Sequence, residues 1–490
     1  MLTLPLWDSL RINTMLQLVF LVPFLAGIAV YFLPVKTGRL LLLATALFHV
    51  LITALEWFQV TGPLQTKYFA NTPEGMLVLG IMSFLFLIIS IYSVFYMAEV
   101  EMSKEPVFNA SMLLFLGAMS MVTIADHIIM LWVAVEATTL MSAPLIFVHR
   151  SKASLEATWK YVLICSVGIA LALLGCFFII FSMEISDVHV PISFSALNAV
   201  ASQLNLVWLK ASFIFIVIGY GTKMGLAPMH TWLPDAHSEA PSPASALLSG
   251  ALLNCAFLGV YRCHQLMVSA GLGDYSSNVL IAFGLASMLV SAVFILNQTD
   301  YKRMLAYSSI ENMGIIAVGI GIGGLAAFGA MLHMIHHSLV KSSLFLSAGN
   351  ILLGYGTKSI DKTRGMLRLF PKTAITFFAG FAGISGFPPF GLFISELLII
   401  MGAIRAGRYV VISIFIFSLI LIFAGASRLV MQMVFSDRDS NEILVPEQWT
   451  RALPPIILLL TSLALVIWLP DSLYQTIQNA ISTIGGSVNG

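Results

Sequence analysis

The sequence predicts an all-α integral membrane protein of about 14 transmembrane helices, with two inverted five-helix repeats and breaks in helices 7 and 12. Three observations carry this. The 490 residues are 59% hydrophobic and only 10% charged, with a mean hydropathy of +0.95, too apolar for a soluble fold. The apolar residues fall into runs of about 18 to 25, the length that crosses a bilayer. Two of these runs are interrupted, at Gly225–Pro228 and at Gly386–Pro389, within about two turns of Lys223 and of Glu396 respectively. Non-helical backbone at membrane depth persists only where protein or a wet cavity satisfies its polar groups.

The spans have approximate cores at 15–33, 39–60, 76–97, 107–124, 127–148, 160–182, 205–225, 242–267, 278–296, 303–320, 324–352, 372–403, 409–433 and 453–470. The first follows a polar start containing Asp8 and Arg11 and leads straight into further spans, so it reads as a retained helix, not a cleaved leader. Orientation follows the basic residues of the connections. One side holds Lys36, Arg39, Lys104, Arg150, Lys152, Lys160, Lys302, Arg303, Lys358, Lys362, Arg364, Arg368, Lys372, Arg438 and Arg451; the other holds Arg11, Lys67, Arg262, Arg405 and Arg408. This asymmetry puts the richer side in the cytoplasm and both termini outside, in a multi-pass protein of the cell inner (plasma) membrane. Lys210, Lys223, Lys341 and Arg428 fall within the spans. A net charge of +1 argues against nucleic acid as a partner. Cys165, Cys176, Cys255 and Cys263 are scattered without metal-ligand spacing and read as packing residues.

Helices 4–8 and 9–13 superpose as two five-helix blocks, each interrupted in its fourth member, GLAPMHTWL at 225–233 against GFPPFGLFI at 386–394. Because five is odd and successive helices alternate direction, consecutive blocks lie inverted, as in many transporters. The expected organisation is helices 1–3 over 1–106, a first repeat over 107–270, a second over 271–435, and helix 14 with a tail over 436–490.

The polar residues inside the spans are the candidate site, because charge at membrane depth is costly and marks ion pathways. Glu136 in helix 5 reads as a proton site or the counter-charge of a lysine, against a structural ion pair. Lys223 sits where Gly221, Gly225 and Pro228 loosen helix 7; the alternative is a snorkelling lysine. Burial disfavours a charged amine and a nearby carboxylate favours it, so a Lys–Glu pair of variable separation is a tunable proton site. His333, His337 and Lys341 recur at i, i+4 and i+8 on helix 11 with His336 alongside, a relay stripe, a chelating pair or packing histidines. No third metal ligand is visible beside them, and no metal or cofactor is predicted. Glu396 follows the second break. Lys210, Asp235 and His237 are further possible pathway residues, the last two forming with Glu239 either a proton mouth or loop caps.

KMGLAPMHTWLPDAHSEAPSPASALLSG at 223–250 and DYKRMLAYSSIENMG at 300–314 resemble the antiporter-like membrane subunits shared by respiratory complex I, Mrp-type sodium/proton antiporters and membrane-bound hydrogenases. Glu311 within SSIENMG resembles the membrane components of the hydrogenase-4 and formate hydrogenlyase type. The short stretch after helix 14 fits a compact subunit without a long lateral helix. The resemblance implies a fourteen-helix fold with inverted repeats and a hydrophilic axis for protons through Glu136, Lys223, His333, His337, Lys341 and Glu396. It implies as partners other membrane subunits and a peripheral redox arm with iron–sulfur subunits. In helix 8 this chain departs from the pattern: Asn254 stands where relatives commonly carry a lysine or histidine. Asparagine hydrogen-bonds water but carries no proton through the pH range, so water or another group must join the halves. The expected function is proton translocation coupled to redox chemistry in partner subunits. The alternatives are a non-pumping membrane scaffold of a hydrogenase or dehydrogenase, and a sodium/proton antiporter subunit.

Overall fold

A computed structural model describes residues 15–60, 65–100, 104–437 and 443–485. Asp8, Arg11 and Arg438 lie outside them. The described chain is helical, with four isolated β-bridges and no named strand. Apart from two short connecting helices, Phe194–Val200 and Met366–Leu369, the helices in order are α1 (Leu18–Tyr31), α2 (Val35–Trp57), α3 (Pro73–Val100), α4 (Glu105–Ile124), α5 (Ile128–Ile146) and α6 (Lys152–Ile185). The seventh is split into α7a (Leu206–Met224) and α7b (Trp232–Glu239), and the eighth into α8a (Ser242–Leu247) and α8b (Leu253–Ser269). Then follow α9 (Gly273–Ile295), α10 (Tyr301–Ile322), α11 (Gly324–Tyr355), α12a (Pro371–Ile384), α12b (Gly391–Arg405), α13 (Tyr409–Phe435), α14 (Trp449–Ile467) and α15 (Asp471–Ile481). A helix lies under every expected span. Among the described residues, 11 helices or near-continuous helix pairs are long and apolar enough to cross a membrane.

Two breaks fall where the glycine–proline pairs stand. Gly225 (φ +84°) and Gly386 (φ +66°) occupy the left-handed region that glycine enters without steric cost, and three residues on lies a cis X–Pro bond, Ala227–Pro228 or Pro388–Pro389. The amides and carbonyls freed at the first break find partners inside the protein. Leu226 N donates to Gly221 O at 2.8 Å, Ala227 N to Ser287 Oγ at 2.9 Å, and the Trp232 indole to Thr222 O at 2.8 Å. At the second, Phe387 N donates to Ala382 O at 3.0 Å.

The centre of the bundle is α8, α10 and α11. Residues of Ser242–Ser269 are buried up to Met267 and nearly all of Tyr301–Ile322 is buried, whereas most of Tyr409–Phe435, on the periphery, is not. A π-helical turn, Leu248–Leu252, joins α8a to α8b. Such turns shift the side-chain register and recur at functional sites.

One basic residue expected in a connection lies elsewhere, and the structure adds two particulars. Arg262 lies inside α8b, 2% exposed, where its guanidinium binds the carbonyls of Val122, Thr123 and Ala125 at the end of α4 and faces Glu74 at 3.5 Å. It is a buried clamp and not a loop charge. Arg428 is exposed on α13. The segment after α14 forms α15, an amphipathic helix whose Ile477, Ala480 and Ile481 pack inward, with Ala480 O accepting from Tyr261 OH.

Candidate functional site: a buried polar line

Lys223 ends α7a with no exposed surface. Its Nζ donates to Thr139 Oγ1 at 2.7 Å and to Tyr161 OH at 2.6 Å, and lies 4.6 Å from the centre of the Tyr161 ring. The Lys–Glu pair expected from sequence is indirect: Thr139 Oγ1 donates to Glu136 Oε2 at 3.3 Å, and Ser166 Oγ donates to Glu136 Oε1 at 2.9 Å. Thr139 falls one turn after Glu136 on α5, so one hydroxyl receives the lysine proton and faces the carboxylate. Tyr161 OH continues to Ser142 Oγ at 2.6 Å.

Asn254 joins the halves physically. Its Nδ2 donates to Ser338 Oγ of α11 at 2.8 Å and to Gly250 O, at the π-turn, at 3.0 Å. Asn254 Oδ1 and both ring nitrogens of His337 are buried without a protein partner. Buried polar atoms of this kind are satisfied in native proteins by ordered water. A second tie between the halves runs from Ser249 Oγ in the π-turn to Ser309 Oγ in α10, 2.8 Å.

Lys341, also fully buried, donates to Leu305 O at 2.6 Å and Ser308 Oγ at 2.8 Å, both on α10. From there the bonds run along α10 and across to α12b. Asn312 Nδ2 donates to Ser308 O at 2.6 Å, which fixes the amide so that Oδ1 accepts from His333 Nε2 at 2.9 Å. His333 Nδ1 lies 2.9 Å from Ser395 Oγ, which also reaches Leu392 O at 2.8 Å. Turning that one hydroxyl lets the ring accept or donate at Nδ1, so His333 holds either protonation state in place. Next to Ser395 stands Glu396, 8% exposed, with its carboxylate against Gly386: a Cβ there would lie 2.3 Å from Oε2. The second break thus makes room for the carboxylate.

The remaining candidates lie off this line. His336 Nδ1 bonds Ser462 Oγ of α14 at 2.9 Å, a packing contact. His237 is fully buried, stacked on Phe345 at 4.7 Å with both nitrogens unpartnered. Asp235 is at the rim, bonded to Arg303 at 2.5 Å and Lys160 at 3.2 Å, beside a cavity of about 200 Å³. Glu239 pairs there with Lys358 at 2.7 Å, and Lys302 Nζ caps α7b through Ala240 O at 2.5 Å. Lys210 is exposed, its ammonium 5.6 Å from the centre of the Tyr275 ring, and does not reach the line. Glu311 reads from the sequence only as a mark of subfamily, yet the structure buries it one turn after Ser308, 4% exposed. The signal for it is its position, a carboxylate inside an apolar span. No cluster of metal-ligating residues occurs among the described residues.

Residues 125–421 match the family described as NADH:quinone oxidoreductase/Mrp antiporter, TM. The chain is 40% identical over 291 residues to a hydrogenase-4 component F homolog of Methylacidiphilum infernorum, covering 59% of this chain and 61% of that one. It is 32% identical over 329 residues to hydrogenase-4 component B of Escherichia coli, covering 64% and 48%. The matches thus span about half to three fifths of these relatives' lengths. In three dimensions it superposes on a chain of the membrane-bound sulfane sulfur reductase, an archaeal respiratory membrane complex, with a TM-score of 0.85 and 21% identity over 96% of this chain and 97% of that one. At that identity the likeness is one of fold.

Proposed function

Since the chain belongs to the NADH:quinone oxidoreductase/Mrp antiporter family of membrane proteins, we propose that it is a proton-translocating subunit of a multi-subunit respiratory or hydrogenase complex, with the buried polar line as its path. The supporting observation is three buried hydrogen-bonded groups, Lys223–Thr139–Glu136, Asn254–Ser338 and Lys341–Ser308–Asn312–His333–Ser395, the last next to Glu396, inside a bundle with many exposed apolar side chains.

In this reading fourteen crossings, organised as two inverted five-helix units, sit in the plasma membrane with both termini outside. Electron transfer belongs to a partner arm with iron–sulfur subunits. A conformational push from partner subunits changes the separation of Glu136 and Lys223, with Thr139 between them, and so changes which group holds the proton. The released proton crosses at Asn254 and His337 through water and leaves past Glu396.

The test is Lys223→Ala in the intact complex in sealed vesicles, with proton movement and electron transfer recorded separately. Loss of proton movement with electron transfer retained is expected. Unchanged proton movement in a correctly assembled complex overturns the assignment, and sodium-dependent exchange in its place makes the chain a sodium/proton antiporter subunit.

A further inference from the structure

One feature near Glu311 repeats near Glu136: a hydroxyl one turn away that accepts from a buried lysine. On α5 a hydroxyl, Thr139, lies three residues after a carboxylate and accepts from a buried lysine at 2.7 Å. On α10 a hydroxyl, Ser308, lies three residues before a carboxylate and accepts from a buried lysine at 2.8 Å. The order is reversed along the chain, and the lysine comes from α11 where the first half uses α7a. Neither lysine makes a direct ion pair with its carboxylate.

Beside Glu311, where α10 meets α12a and α13, lies a small, partly open space. A cavity of about 20 Å³ is lined by Leu305, Ser308 and Glu311 of α10, by Ser385 at the second break, and by apolar residues of α12a and α13. That is room for one water, which needs on the order of 10–15 Å³. Two of the lining residues, Leu305 and Ser308, are the acceptors of Lys341. Ser308, in accepting from the lysine, has its own proton to offer to that water. Ser385 precedes Gly386, against which the Glu396 carboxylate rests.

We propose that Lys341 and Glu311, linked through Ser308 and one water, form a second proton-binding site equivalent to Lys223 and Glu136, which hands its proton to Glu396 at the second break. This rests on the pathway reading above. The ionisable groups around the site are His237 of α7b, Glu311 of α10, His333, His337 and Lys341 of α11, and Glu396 of α12b; the α13 residues lining the cavity are uncharged. The Asn312 and His333 bonds tie α10, α11 and α12b together around this site, and the proton reaches Glu396 by way of Glu311. Lys341 gives a proton to the Ser308 hydroxyl as that hydroxyl gives its own to the water, the water gives one to the Glu311 carboxylate, and the neutral acid passes it on, so charge and atoms balance at each step.

Glu311→Gln, which keeps size and hydrogen bonding but holds no exchangeable charge, tests this in the intact complex in vesicles. Proton movement per electron transferred is expected to fall about tenfold or more, as for loss of one hydrogen bond to a charged group. The infrared difference spectrum on energisation is expected to lose a protonated-carboxyl band. Ser308→Ala, measured in parallel, is expected to lower proton movement in the same direction and covers failure of the first variant to assemble. Unchanged proton movement in Glu311→Gln, or in Ser308→Ala where the former does not assemble, overturns the second site. If Lys223→Ala in the same preparation still abolishes it, the pathway reading stands alone; if Lys223→Ala is also silent, both fall.

Discussion

In the first half of the molecule Lys223 reaches Thr139 from α7a, and the carboxylate one turn away, Glu136, is half-buried and also bonded to Ser166 of α6. In the second half Lys341 reaches Ser308 from α11, and the carboxylate one turn away, Glu311, is enclosed at 4% exposure beside a cavity for one water. The lysine–hydroxyl contact is the same; its surroundings differ. Glu136 has two hydroxyl donors, Thr139 and Ser166, to hold its charge, whereas Glu311 depends on the few groups around it. The difference shows that one lysine–hydroxyl contact is built from different helices in the two regions, beside carboxylates buried to different degrees.

The junction between the halves is where the comparison breaks most readily. Asn254→Leu removes the bond to Ser338 and leaves that hydroxyl and the neighbouring His337 without a polar neighbour in α8. Leaving a buried polar group unsatisfied costs about 1–3 kcal/mol. Proton movement in vesicles is expected to fall about 10- to 100-fold with both lysine sites intact; movement at the normal rate would show that the halves do not communicate there.

The two hydroxyl links come next. Thr139→Val and Ser308→Ala are each expected to lower proton movement about tenfold, the loss of one hydrogen bond to a charged group being about 1.5 kcal/mol or more. Combined in one chain, they are expected to lower it by less than the product of the single effects if both lie on one path, since coupled sites are not additive. Single losses of no more than about half, with a large loss only when the two are combined, would mean two separate paths, one in each half.

The smallest effect is expected at Lys210. Because its side chain is exposed and packs on Tyr275, Lys210→Ala is expected to leave proton movement within about twofold of the unchanged protein, in keeping with the usual effect of surface substitutions of about 0.5 kcal/mol or less. A large loss would place the mouth of the path at this end of α7a.

Local chemistry and tertiary packing govern these residues to different degrees. The spans and both breaks are legible in the sequence because hydropathy, glycine and proline act locally, through transfer free energy and backbone dihedrals. Lys223, Lys341 and Glu396 stand out as charges in apolar runs. Lys210 stands out for the same reason but faces the surface, because an apolar run does not say which side of a helix meets its neighbours. Glu311 reads as no more than a subfamily mark, since its partner Lys341 lies on the next helix and only packing brings α10 against α11. The π-turn at Leu248–Leu252 and the docking of α15 have no local signature at all.

The sequence by itself determined that this is a polytopic membrane protein, where two of its helices break, and which charges it carries into the membrane, because each of these depends on residues near one another in the chain. Only the tertiary structure decided that Thr139 stands between Lys223 and Glu136, that Asn254 ties α8 to α11, and that Glu396 rests against Gly386. These are contacts between helices. Each helix can turn about its own axis without any change in hydropathy, and close packing of side chains against their neighbours selects one rotation for all of them together.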